Sequence, residues 1–214
     1  MVAARPRYAL FNNGSRLARL VVHNLLDAGR VPTCLVEPGY PPASPPPAAI
    51  FSAESESFDR PLLSEIPRLH APPTEQDQCA QSIQACDIDF ILVVCWPYLL
   101  APVIIDSARQ LTLNLHPSLL PAFRGPDPIG AQLAGNDARL GVSLHLLSQG
   151  FDEGDVLLRS TLREPLARRN RGSLEDACAR LGSQLFIDVL DGYDSSWKAV
   201  PQQELEAVSD NAIS

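Results

Sequence analysis

Several kinds of segment are missing from this 214-residue chain. No apolar run approaches the ~20 residues that a membrane-spanning helix needs. The opening MVAARPRYALFNNGS contains no apolar stretch long enough for a secretory signal. The five cysteines, Cys34, Cys79, Cys86, Cys95 and Cys178, form no C-x-x-C pair and are odd in number. Free thiols in a reducing cytoplasm are the simplest account, so the chain is assigned there. There is no H-E-x-x-H, and four scattered histidines make a poor zinc set, so no metal is expected. The P-loop pattern G-x-x-x-x-G-K-[ST] and the spacing of a calcium-binding EF-hand loop are absent as well. Cations are scarce: 17 Lys and Arg stand against 25 Asp and Glu, for a formal charge of −8 and a pI near 4.9. An anionic field of that size disfavours broad binding to nucleic acid or to an anionic membrane.

What is present is ordinary for a globular domain: 45% hydrophobic and 20% charged residues. RYALF reads as a buried strand, Tyr8 to Phe11, broken by NNGS. A helix follows with Leu17, Leu20, Val21 and Leu25 on one face and Gly29 as its stop, then a second strand over Val31 to Val36. Strand, helix, strand implies parallel pairing with a right-handed crossover. EPGYPPASPPPAAIF carries six prolines between Pro38 and Pro47 and reads as a stiff surface loop. A third short strand lies near Leu69, and Thr74 is placed to cap a helix running to about Ala85. Ile88 to Cys95 is almost unbroken apolar sequence, the pattern of a strand buried on both faces. LTLNLH is the next strand, and DPIGAQLAGN a helix ending near Gly135. Gly141 to Leu147 and Gly154 to Glu164 read as antiparallel additions. REPLARRNRG, from Arg163 to Gly172, reads as a solvated basic loop. The last helix takes Ser173 as its cap, with Leu174, Ala177, Leu181, Leu185 and Val189 facing inward. The expected fold is α/β, a mostly parallel sheet with helices on both faces. It forms one domain over residues 1–194, followed by a polar tail over 195–214.

Ligands of open α/β sheets bind beyond the carboxyl ends of the strands. Three loops fit that description: Asn12 to Ser15, Cys95 to Pro102, and His116 to Pro128. In LTLNLH the side chains alternate, so Asn114 and His116 share a face opposite to Leu113 and Leu115. An amide donor beside an acid/base group can polarise a carbonyl and manage a proton. In GFDEGDVLL, Gly150 and Gly154 bracket Asp152 and Glu153, with Asp155 next, and one of these three carboxylates is placed to orient His116 and favour its charged form. His145, on a strand, reads as a packing residue. NNGS can present amides and a hydroxyl to an anion at a helix start.

NLHPSLLPAFRGPDPI, followed by GVSLHLLSQGFDEGDVLL, resembles the folate-dependent formyltransferase family over roughly Tyr8 to Gln203. The resemblance implies a Rossmann-like fold and transfer of a formyl group from 10-formyltetrahydrofolate to a primary amine. It places the family's catalytic residues on Asn114, His116 and Asp152. It lines the folate pocket with Tyr98, Leu99, Leu100 and Pro102, together with Phe151, Glu153 and Gly154. Asn13, Gly14, Ser15, Arg124 and Gly125 fall on the acceptor side, and Leu120–Pro121 is expected to be cis. The C-terminal helix and VPQQ look most like the tRNA-acting branch of the family. That branch has a C-terminal β-barrel domain, for which this sequence shows no counterpart. Its basic substrate loop falls where this chain has the proline-rich stretch without Lys or Arg. A small amine or a nucleotide sugar is therefore favoured over tRNA as acceptor. A formyltetrahydrofolate hydrolase and a non-catalytic binding module are the alternatives. The amine's identity and the oligomeric state are left open.

Overall fold

The computed structural model describes residues 5–39, 61–135, 139–162 and 170–207. The proline-rich stretch from position 40 onward and the basic stretch 163–169 lie outside the described residues. The strands follow the order β3-β2-β1-β4-β5-β6-β7. They span Tyr8–Asn12 (β1), Cys34–Glu37 (β2), Arg68–His70 (β3), Phe90–Val94 (β4), Leu111–His116 (β5), Gly141–Leu146 (β6) and Val156–Thr161 (β7). The chain divides inside β5 into two compact units, residues 1–113 and 114–214.

In the first unit β1 pairs in parallel with both β2 and β4, and β2 pairs in parallel with β3. Every residue of β1 and β4 is buried, which accounts for the unbroken apolar sequence of β4 and for that of β1 as far as Asn12. Helix α1 (Arg16–Asp27) buries Leu17, Val21 and Leu25 and ends before Gly29, whose φ of +70° is the left-handed conformation that stops a helix. The second strand begins at Cys34, not at Val31: Val31 is exposed and Pro32 intervenes. Helix α2 covers Pro61–Glu65. Helix α3 runs Gln76–Ala85, but Glu75, not Thr74, is its first flanking residue, and no side chain caps it. Helix α4 is a single turn, Pro102–Ile105, with proline at its start.

In the second unit β6 and β7 are antiparallel, as expected. Helix α5 covers Pro128–Ala134, and the Asp127 side chain accepts from the Gly130 amide at its start. Helix α6 covers Arg171–Gly192 and packs on α5, β6 and β7. Its cap is Asn170, whose Oδ1 accepts from the Ser173 amide. Ser173, the expected cap, lies within the first turn. Residues after Ser195 are not featureless: Val200 pairs with Val156, and helix α7 follows over Gln202–Ala207. Leu205 is buried with Leu120 and Val156, against Val200.

Gly182 lets α6 seat against β5, since a Cβ there would lie 2.0 Å from Leu115 Cδ1. We expect Gly182→Val to lower stability by about 1–3 kcal/mol through overpacking. Thermal unfolding of the purified variant checks this, and an unchanged midpoint would mean that the helix shifts without cost.

Candidate functional site

The second unit gathers Asn114, His116, His145 and Asp152 into one polar cluster. Strand alternation does the first part. Leu113 and Leu115 are buried, and Asn114 and His116 project from the opposite face of β5. The turn between β6 and β7 does the second. Asp152 sits at φ +55°, a left-handed conformation that Asp tolerates better than most residues. Gly154 follows where any Cβ would lie 1.8 Å from the Leu146 carbonyl oxygen.

Asp152 is the hub. Its Oδ1 lies 3.3 Å from His116 Nδ1 and accepts from Asn114 Nδ2 at 3.4 Å. Its Oδ2 accepts from the Gly125 amide at 3.0 Å, and Gly125 takes φ +111°. Burial pushes the Asp152 carboxyl up. The hydrogen bond and charge of His116, the Gly125 amide and His145 together outweigh that and hold it below its ordinary value. His116 Nε2 faces the Phe123 carbonyl oxygen at 3.0 Å. Both ring nitrogens of His116 therefore face acceptors, an arrangement that an imidazolium, a donor at both positions, satisfies in full.

His145 belongs to the cluster, although its strand pattern reads as packing. Its Nδ1 donates to the Leu146 carbonyl at 2.8 Å, which leaves Nε2 as a bare acceptor in the neutral ring. Asn114 Nδ2 lies 3.0 Å from that Nε2 and donates to it. The backbone carbonyl of Leu146 thus sets the tautomer of His145, and the tautomer sets which way the Asn114 amide points. Burial, aided by the charges of His116 and Arg124, lowers His145 to about 4, against the opposing Leu146 hydrogen bond and Asp152 charge. The 3.8 Å approach of its Nε2 to Asp152 is accordingly no ion pair near neutrality.

The loop after β5 is pinned from several sides. Ser118 Oγ donates to the Ala122 carbonyl at 2.7 Å. Ser143 Oγ accepts from the Leu120 amide at 2.9 Å and donates to the Ser118 carbonyl at 2.8 Å. The Leu120–Pro121 peptide is cis, as expected. Arg124, largely exposed, directs Nε and Nη2 to Gln202 Oε1 at 2.9 and 2.5 Å. Gln202, which falls in the stretch expected to be a polar tail, is almost fully buried. Phe151 is exposed beside Asp152, Glu153 is exposed, and Gly154 is buried.

The remaining residues singled out from the sequence lie in the first unit. Tyr98 donates its hydroxyl to the Pro38 carbonyl at 2.7 Å and also approaches the Ala71 carbonyl; its ring meets Trp96 edge-on at 5.3 Å. Leu99 and Pro102 are exposed, whereas Leu100 is buried in the core. At the start of α1, Asn12 Oδ1 accepts from the Gly14 amide at 3.1 Å, and Asn13 Oδ1 from the Ser15 amide at 3.0 Å. Ser15 Oγ is the N-cap and accepts from the Ala18 amide at 3.5 Å. Among the described residues, no cluster of three or more His, Cys, Asp or Glu is suited to a metal ion, and no helix is long and apolar enough to cross a membrane.

A family model described as formyl transferase matches residues 38–190. Among curated proteins, a methionyl-tRNA formyltransferase of Synechocystis sp. is 32% identical over 139 residues, covering 63% of this chain and 42% of its own. One from Methylibium petroleiphilum is 26% identical over 188 residues, covering 85% and 59%. The chain spans about half the length of the curated relatives it matches. Among solved structures, glycinamide ribonucleotide transformylase 1 from Symbiobacterium toebii superposes with a TM-score of 0.65 at 18% identity, over 87% of this chain and 86% of that one. A sugar N-formyltransferase from Shewanella sp. gives 0.59 at 12%, over 91% and 72%. At these identities the likeness bears on the fold, which is Rossmann-like and mostly parallel as expected.

His145 gives a pH signature of known sign. Its folded value, about 4, is below the ~6.5 of an unfolded histidine, so between those values the unfolded chain binds the extra proton. Stability is therefore full above about pH 6.5 and falls toward pH 4, by up to about 3 kcal/mol from this residue alone. Asp152, with its depressed value, adds a second loss as pH drops through the carboxylate range. Urea titrations from pH 7 to 4 should show the slope, and His145→Gln should flatten it between pH 6.5 and 4. A slope unchanged in that variant would assign the acid loss to other groups.

Proposed function

Because the chain belongs to the formyl transferase family, we propose that it moves a formyl group from 10-formyltetrahydrofolate to a primary amine, with Asn114, His116 and Asp152 as catalytic residues. The observation that carries this reading is the sharing of one carboxylate oxygen, Asp152 Oδ1, between His116 Nδ1 and Asn114 Nδ2.

Each unit leaves large apolar side chains in water near a strand end, Leu99 and Val103 in the first and Phe151 in the second. Surfaces of that kind suit a flat heteroaromatic ring, so the residues present fit a pterin. Phe151, Glu153 and the backbone at Gly154 in the second unit would contact it; Tyr98, Leu99 and Pro102, which the resemblance also assigns to the donor, lie in the first unit, where Leu100 is buried. When bound, the donor supplies the activated formyl group. Asn114 has one N–H committed to His145 at 3.0 Å and one held weakly by Asp152 at 3.4 Å. The weakly held donor is the one free to turn to a carbonyl oxygen as negative charge gathers on it under attack by an amine. His116 supplies a second donor by exchanging the Phe123 carbonyl for that oxygen. Asp152 pairs the imidazolium and, through an ordered water, relays the proton that the attacking amine sheds to the folate nitrogen as its bond to the formyl carbon breaks.

For the acceptor, the charge of −8 favours a small amine or a nucleotide sugar over tRNA, which needs many phosphate contacts. The amides of Gly14 and Ser15 already serve Asn12 and Asn13. Asn13, Gly14 and Ser15 would therefore meet an acceptor through side-chain and carbonyl groups, not as an empty anion cradle. Arg124 and Gly125, in the second unit, are the other candidates for the acceptor side.

The test is a mass-spectrometric screen with 10-formyltetrahydrofolate against amino sugar nucleotides, glycinamide ribonucleotide and methionyl-tRNA. Formylated small amine is the expected product, and His116→Ala or Asn114→Ala should lower kcat by about 10²–10⁴-fold. Formate without any formylated amine would assign a hydrolase, and an unconsumed donor would overturn the transfer reading altogether.

A further inference from the structure

Gln202 is 1% exposed and uses its whole carboxamide. Its two N–H groups donate to the carbonyl oxygens of Asp152 at 2.8 Å and Gly154 at 2.7 Å. Its oxygen accepts both Nε and Nη2 of Arg124. An amide offers two donors and two acceptor positions, so none is idle. Those partners are not neighbours in sequence. Arg124 precedes Gly125, whose amide holds Asp152 Oδ2. Asp152 O and Gly154 O flank the turn in which Asp152 takes φ +55°. A left-handed non-glycine residue is strained and persists only where its surroundings hold it. The side chain that grips this turn on both sides comes from outside both loops.

The delivery of Gln202 is equally specific. Val156 and Val200 exchange two backbone hydrogen bonds at 2.9 Å, which fixes the chain two residues before Gln202. Leu205, one turn beyond Gln202 on α7, is buried with Leu120 and Val156. Leu120 precedes the cis proline of the loop that carries Arg124, and Val156 starts the strand after the Asp152 turn. The same short segment therefore packs under both loops and places one amide between them.

We propose that Gln202 is a positioning residue for the transfer reaction, an uncharged clamp that sets the Asp152 turn against the Arg124–Gly125 loop. It acts through Asp152 and touches no substrate. Neutrality matters. A carboxylate in its place would keep the Arg124 contact but would face two carbonyl oxygens with no hydrogen to offer. An apolar side chain of the same length would leave both carbonyls and the guanidinium unserved.

This proposal rests on the formyl-transfer reading for its kinetic arm, so the experiment carries an arm that does not. Gln202→Met and Gln202→Glu are made in the full chain, and thermal unfolding identifies folded variants. The Asp152 side-chain carbon is titrated by NMR in each. Because the clamp holds the carboxylate toward His116 and Gly125, its loss should move the Asp152 titration up toward the ordinary ~4 of a free Asp, in both variants alike. With a working amine, kcat should drop at least about tenfold while KM for the folate stays within about threefold, the pattern of lost transition-state alignment. A folded Gln202→Met with an unmoved Asp152 titration and wild-type kcat would overturn the proposal. Gln202→Glu behaving as wild type would overturn the clamp on the turn and leave only an Arg124 contact. If wild type transfers nothing, the transfer reading fails and the titration alone decides the clamp.

Discussion

Everything in the second unit is arranged around a single carboxylate. Asp152 offers one oxygen to His116 and Asn114 and the other to the Gly125 amide. A buried carboxylate is costly unless hydrogen bonds and an opposite charge attend it. Here three elements of different origin must arrive together to attend it: the end of β5, the loop after it, and the turn before β7. That requirement accounts for the unusual backbone near the site. Asp152 and Phe123 are left-handed without being glycine, Gly125 is left-handed, and Gly154 has no room for a Cβ. Departures of this kind cluster where geometry serves chemistry.

The second constraint runs through a group with no charge. His145 is buried and neutral, and its one hydrogen is committed to a backbone carbonyl. Its remaining lone pair dictates the orientation of the Asn114 amide. A methionine or leucine would fill the same volume but would leave the amide free to turn over. The histidine weakens the fold in acid, and in exchange it orients the Asn114 amide. Stability is given up at one residue for preorganisation at its neighbour.

How much of this was legible depends on which physical signal each residue leaves. Asn114 and His116 stand out because strict alternation puts them on one face of a strand next to a proline-punctuated loop. The glycine-bracketed turn stands out too, but its pattern leaves Asp152, Glu153 and Asp155 as alternatives, and only the family resemblance singles out Asp152. His145 also lies on a strand, but a buried polar residue among apolar neighbours has no pattern of its own, and its role exists only through a contact with another strand. Gln202 was less visible still: it sits in a short polar helix after a stretch with no periodicity, and only tertiary packing through Val200 and Leu205 gives it a place. The helix caps failed for a related reason. Asn170 outcompetes Ser173 because it precedes the helix in extended conformation and bonds to Ser173 itself, while Thr74 lies one residue too early to reach the first turn of α3.

The polar contacts of the second unit differ in length. Those that pin the loops are short: Ser118 to Ala122, Ser143 to Ser118, Gln202 to both carbonyls, all between 2.7 and 2.8 Å. The two contacts to Asp152 Oδ1 are longer, 3.3 Å from His116 and 3.4 Å from Asn114, while those joining Asp152 to Gly125, His116 to Phe123 and Asn114 to His145 are 3.0 Å. Hydrogen-bond strength falls steeply with distance and misalignment, so the contacts to Asp152 Oδ1 are the weakest of the set. On the proposed reading, an incoming carbonyl oxygen exchanges with the long Asn114 contact and with the 3.0 Å contact of His116 Nε2 to the Phe123 carbonyl. The short contacts that pin the loops need not rearrange when these are exchanged, which is the condition under which fixed donors lower a barrier most.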